Sequence, residues 1–180
     1  MLDLSGYPDL EYVSSIETSR RHGVLRAISK KYGPCVVKAT SQTATQVDVQ
    51  QLRREYLKLR LCVCENIVPV YDIYDHQSSL GVALVTTDCG SSLKAWVQRQ
   101  LEKPSLETVV NIGIQIAQGL DQLHRHARLI HGDITPNNVC YCEKTKRAVI
   151  IDLGGAHGFS EPGTALYVSR MRMMKECVSC

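Results

Sequence analysis

The sequence predicts an α+β fold in two halves, a strand-rich first half with one helix (residues 1–88) and a mainly helical second half (residues 89–180). Three observations carry this. Residues 35–40, 67–74 and 81–87 are short runs rich in Val, Ile and Thr, the composition of strands. Between the first two, residues 46–62 place Val49, Leu52, Tyr56 and Leu59 at helical spacing. Beyond Cys89 the helical period dominates, and Ile112, Ile116, Leu120 and Leu123 form one apolar stripe.

Taken in order, the first strand centres on Lys38, set among apolar neighbours, and the helix follows it. Glu55 lies three after Leu52 and four before Leu59, so it shares the buried edge of that helix. A carboxylate there needs a partner, because burying a lone charge is costly. Lys38 is the obvious candidate. The polar residues 75–79 turn the chain between the next two strands. Pro104 and Ser105 mark a helix start, with Ser105 as its cap. Trp96 and the apolar side of residues 93–101 read as core. A hairpin is expected from 139–142 and 148–151, its tip carrying the solvated Lys144, Lys146 and Arg147.

Composition bounds the function only loosely. The hydrophobic fraction of 44% and charged fraction of 22% are those of an ordinary globular chain. A net charge of +3 gives no argument for nucleic acid or a membrane surface. No run of about 18 apolar residues is present, so no spanning helix is expected. The acidic, Gly- and Pro-broken start MLDLSGYPDLEY does not look like a secretory signal. The eight cysteines, at 35, 62, 64, 89, 140, 142, 177 and 180, then read as reduced thiols of an intracellular protein, with the terminal Cys177/Cys180 pair the exception worth watching. Zinc is disfavoured, because Cys-x-Cys within strand text lacks the usual turn.

The most informative text is His131-Gly132-Asp133-Ile134-Thr135-Pro136-Asn137-Asn138, followed by Ile150-Ile151-Asp152-Leu153-Gly154. Phosphoryl transfer from Mg·ATP needs such a set: one carboxylate to take a hydroxyl proton, with an amide and a second carboxylate to hold metal ions. On these residues, with Lys38 and Glu55 upstream, the chain from about 11 to about 170 resembles a eukaryotic-type protein kinase domain. The resemblance implies a bilobal fold with a β-rich N-lobe and an incomplete, mainly helical C-lobe. It implies ATP and Mg²⁺ as cofactors and protein substrates as partners. Lys38 would orient the phosphates and Glu55 would hold Lys38; Asp133 would be the base, and Asn138 and Asp152 the metal ligands. Thr86-Thr87-Asp88-Cys89 stands where the family has its hinge, with Thr86 guarding the back of the adenine pocket and Thr87 and Cys89 beside the nucleotide. Residues 163–167, Gly-Thr-Ala-Leu-Tyr, look like the end of the activation segment.

A narrower likeness, on Asp-Ile-Thr-Pro-x-Asn and on Gly-Thr-Ala followed by Lys175-Glu176-Cys177, is to the conserved serine/threonine kinases of herpesviruses. It implies a viral protein acting in the cytoplasm or nucleus of a host cell.

The departures from the family pattern are specific. Aligning Val24 and Ala27 with the residues after the glycine-rich nucleotide loop puts Glu17, Ser19 and His22 at the glycine positions, with Gly23 one place off. Gly132 replaces the usual Arg, so an Arg-coupled phosphorylation switch is not expected. Thr135 replaces a frequent lysine, and Leu153 the usual Phe. Residues 169–171, Ser-Arg-Met, stand where the segment normally closes with Ala-Pro-Glu. The lower helices of the C-lobe do not follow before Cys180, so a protein partner is expected to cover that underside.

Three functions fit: an active serine/threonine protein kinase, favoured by the five intact residues; a pseudokinase or truncated regulatory binding module, favoured by the missing glycines; and a small-molecule or atypical kinase of the same fold.

Overall fold

The first half builds its sheet from β1 (Leu10–Thr18), β2 (His22–Ser29), β3 (Gly33–Thr40), β4 (Val70–Asp75) and β5 (Val82–Thr87). A computed structural model describes residues 7–19, 21–41, 43–75 and 81–158. The strands run antiparallel in the order β1-β2-β3-β5-β4. Alternation along β3 buries Cys35, Val37 and Ala39 on one face, joined by Leu25, Ala27, Ala83 and Val85 and covered by Tyr7, Leu10, Tyr71 and Tyr74. Fully burying a side chain such as Val37 is worth about 1.5–3 kcal/mol, so this apolar face holds the sheet's register. The other face carries Val24, Lys38 and Leu84, which stand in one cross-strand row.

Helix α1 (Gln46–Arg60) packs on β3, β4 and β5 and buries Val49, Leu52, Glu55 and Leu59. Its start is a capping box. The Thr45 hydroxyl accepts from the Asp48 amide at 3.3 Å, and the Asp48 carboxylate accepts from the Thr45 amide at 2.8 Å. Those Thr45 hydrogen bonds, the hydroxyl's first, hold the Asp48 carboxyl below its usual range. The helix ends two residues before the expected 62, and Leu61 and Val63 are exposed.

The second half opens with β6 (Ser91–Ser92) and α2 (Leu93–Arg99), capped by Ser92. Next is α3 (Leu106–Gln122), whose cap is Ser105, accepting from the Thr108 amide at 3.2 Å as expected. A π-helical turn, Leu123–Ala127, closes on Arg128 in the left-handed conformation. After it come β7 (Leu129–Ile130), β8 (Val139–Cys142), β9 (Arg147–Ile150) and β10 (His157–Gly158). Strands β6, β8 and β9 form one sheet, and β7 pairs with β10 in another. Trp96, Ile112, Ile116, Ile134, Val139, Tyr141, Ala148 and Ile150 make the core, with Trp96 edge-on to Tyr141 at 4.6 Å. Leu101, expected in that core, is exposed, because α2 has already ended. On α3, Leu106, Val109, Val110 and Ile114 are also exposed.

Gly119 presses α3 onto the hairpin. A Cβ there would lie 2.9 Å from Ile150 Cδ1 and 3.0 Å from the Asn66 carbonyl oxygen. Gly119→Ala is therefore expected to cost about 1–3 kcal/mol by overpacking, read as a lower thermal midpoint.

The chain divides into Met1–Arg60 with Pro69–Asp88, and Leu61–Val68 with Cys89–Cys180. The strand expected over 67–74 accordingly begins only at Val70. Ile67 bridges in parallel to Ile150 of the second unit, and the Val68 amide donates to the Ile150 carbonyl at 2.9 Å. The readings made on 76–79 and on residues 160–180, including Ser160, Thr164 and the segment 163–167, lie outside the described residues.

Candidate active site

In the first unit the expected ion pair is present. Lys38 Nζ donates to Glu55 Oε2 at 2.8 Å, with side-chain exposures of 16% and 5%. The strand fixes the lysine by its register with Val24 and Leu84, and the helix fixes the glutamate on its buried edge. Such a pair offers a cationic head held at one place, ready for an anion.

Thr86 is half-buried and its hydroxyl donates to the Val36 carbonyl at 3.4 Å. The Thr87 amide and hydroxyl both donate to the Pro69 carbonyl, at 3.1 and 3.4 Å. Asp88 accepts from Arg26 Nε at 2.9 Å, which ties the end of β5 to β2. Cys89 is half-buried.

Among the described residues of the β1–β2 turn, none has positive φ. Ser19 closes it instead: its hydroxyl accepts from the Arg21 and His22 amides at 3.3 and 3.1 Å and donates to the His22 carbonyl at 2.8 Å.

The second unit assembles the other three residues. Asn138 Nδ2 donates to the Asp133 carbonyl at 2.9 Å and to its carboxylate at 3.0 Å. The Asn138 carbonyl accepts from the Ile151 amide at 2.9 Å, so the loop is bound to the chain just before Asp152. Ile134 is anchored in the core, and the Pro136 carbonyl accepts from the Lys94 amide at the start of α2. Asp152 sits at φ 63°, in the left-handed region, and its carboxylate accepts from the Gly154 amide at 2.9 Å. Asp is one of the few residues that takes this conformation, but at a cost that the surroundings must support. The next residue, Leu153, is fully buried.

These residues fit a hard cation. Both amide hydrogens of Asn138 are engaged, so its side chain offers an oxygen, and Asp152 offers a carboxylate. Among the described residues no group of three or more His, Cys, Asp or Glu could hold a metal ion unaided. Mg²⁺ binds one or two protein ligands and completes its shell with phosphate and water.

His131 braces the loop. It is 2% exposed, and its Nδ1 accepts from the Asp133 amide at 3.3 Å, which puts the proton on Nε2. Burial lowers its pKa below the ordinary value, opposed by Asp152 and the Ile151 backbone. The unfolded chain therefore binds more protons near this value, and stability rises with pH. We expect stability to fall as pH drops through about 6.5, and His131→Gln to flatten that dependence in pH-dependent urea melts.

The absent arginine has a geometric reason. Gly132 lies at φ +77°, and a Cβ there would come within 3.2 Å of the Gly155 carbonyl oxygen and 3.3 Å of His157 Cε1. A side chain at this place would be both strained and crowded. The sequence signalled the substitution but not the close approach of His157, which the β7–β10 pairing brings about.

Residues 22–179 match the protein kinase domain family. The chain is 29% identical over 170 residues to mitogen-activated protein kinase kinase 5 of Leishmania mexicana, covering 88% of this chain and 30% of that protein. It is 31% identical over 140 residues to dual specificity mitogen-activated protein kinase kinase 1 of Dictyostelium discoideum, covering 71% of this chain and 21% of that protein. The chain thus spans less than a third of the length of either relative. With its match covering nearly the whole sequence, the chain belongs to the protein kinase domain family.

Proposed function

We propose that this chain transfers the γ-phosphoryl group of Mg·ATP directly to a serine or threonine hydroxyl of a protein. The observation that carries the reading is the bracket between Asn138 and Asp133, which holds the carboxylate at a fixed place in the loop. Asn138 and Asp152 would hold Mg²⁺ by oxygen, and the ion would supply positive charge against the phosphates. Lys38, steadied by Glu55, orients the phosphates. Asp133 aligns the acceptor hydroxyl and takes its proton as the new P–O bond forms and the bond from the γ-phosphorus to the β,γ-bridging oxygen breaks, releasing ADP.

The Dictyostelium relative is named for dual specificity, so the acceptor class is part of the test. Labelled γ-phosphate is offered with the protein alone and with a generic basic protein, beside Asp133→Asn. The phosphoamino acids formed are then identified. Transfer to serine and threonine that disappears in the variant supports the proposal. Transfer that survives the variant removes Asp133 from its role, and phosphotyrosine corrects the acceptor class.

A second reading, a nucleotide-binding pseudokinase or regulatory module, is favoured by the Ser19 turn, which lacks the glycines of a phosphate loop. Nucleotide binding without transfer would support it. The narrower viral likeness rests on the loop text Asp133 to Asn138 and on residues 163–177, and it stays a proposal.

A further inference from the structure

We infer that Glu17 and Ser19 act together to weaken this chain's grip on the nucleotide's phosphates, making Mg·ATP affinity a property set by the β1–β2 turn. The inference rests on the function proposed above, in which Lys38 faces those phosphates. Three strands place the relevant groups. Glu17 pairs with Val24, and Val24 pairs with Lys38, so all three lie in one row. Directly paired residues project to the same face of a sheet. Glu17 is exposed, and two strand spacings put it about 10 Å from Lys38 along the row. A carboxylate thus stands on the face from which the ammonium is presented, and it repels the anion that the ammonium attracts.

Ser19 acts differently. A phosphate loop works by offering backbone N–H groups to phosphate oxygens. In this turn the Arg21 and His22 N–H groups already donate to the Ser19 hydroxyl. The same hydroxyl donates to the His22 carbonyl, and the Ser19 amide donates there too at 2.9 Å, so the turn is closed on itself. An incoming phosphate must displace the hydroxyl before it meets either donor.

The experiment is calorimetric titration of the full chain with Mg·ATP and, separately, with adenosine, which has no phosphate. The variants are Glu17→Gln, Ser19→Gly and Lys38→Met. Glu17→Gln is expected to tighten Mg·ATP about threefold, the effect of removing one charge at this range in a watery setting. Ser19→Gly is expected to tighten it roughly three- to tenfold by releasing two donors. Adenosine affinity should not change in either. Weaker Mg·ATP binding in Ser19→Gly would make the hydroxyl itself a phosphate ligand and overturn the inference. So would equal tightening of ATP and adenosine, which would mean a general loosening of the sheet. Both results leave the proposed function standing if Lys38→Met still weakens Mg·ATP. Indifference of Mg·ATP binding to Lys38→Met overturns the proposed function, and the inference with it.

Discussion

Asp133→Asn is expected to lower phosphoryl transfer roughly 10²- to 10⁴-fold, the usual contribution of a positioned general base. The substitution is nearly isosteric, and its geometry argues for a selective loss. Asn138 Nδ2 donates to the Asp133 main-chain carbonyl and to one carboxylate oxygen. The amide oxygen of an asparagine at 133 can accept the second bond, so the loop keeps its bracket. What disappears is the ability to take a proton at neutral pH. Single-turnover transfer should therefore collapse while nucleotide affinity and thermal midpoint stay near wild type. A parallel fall in thermal midpoint would show that the loss is structural and not chemical.

Lys38→Met is the second large effect, and it acts on stability as well as on the nucleotide. It leaves the Glu55 carboxylate, 5% exposed, without its cation. Removing one partner of a buried pair costs about 3–5 kcal/mol, and the partial exposure of Lys38 at 16% places this case near the lower end. A buried carboxylate that loses its cation binds its proton more tightly folded than unfolded. The folded state then holds more protons above the unfolded pKa, and stability falls as pH rises. The variant should thus be least damaged at mildly acidic pH, as urea melts at pH 5 and pH 8 would show. The double variant Lys38→Met, Glu55→Leu should recover most of the stability by apolar packing and none of the Mg·ATP affinity. That pattern would separate what the pair does for the fold from what the lysine does for phosphate.

Much of this arrangement was legible because the relevant side chains sit where periodicity is strong. Glu55 announced itself as a carboxylate on the buried edge of a helix, and Lys38 as a cation inside an apolar strand; the ion pair follows from those two facts. The Ser105 cap was equally clear. Strands β1 and β2 were not. Two register shifts, between Tyr12 and Ser14 and between Ser15 and Glu17, break the two-residue alternation of β1. The buried face of β2 includes Gly23, Ala27 and Ser29, too small or polar to read as core. The turn chemistry of Ser19 was hidden for a related reason: a serine at a glycine position reads as a defect until its hydroxyl is seen closing the backbone. Gly119 was silent and Gly132 showed only as a substitution, because a missing side chain carries no pattern and only the neighbours show why one is excluded.

The placement of Leu61–Val68 has a consequence for how the protein can be taken apart. This segment leaves α1, spends eight residues in the second unit and returns at Pro69 to complete the sheet. Asn66 donates from its side chain to the Ala148 carbonyl and Gln115, its own carbonyl accepts from Ile150, and Ile67 is 1% exposed. A fragment ending at residue 88 would strip those partners from a stretch it still contains, and a fragment beginning at 89 would lack a piece of its own interior. Neither half is therefore expected to behave as an autonomous folding module when expressed alone. Mixing two such halves should also fail to reconstitute the whole cleanly, because the chain is woven through both units and not merely strung between them.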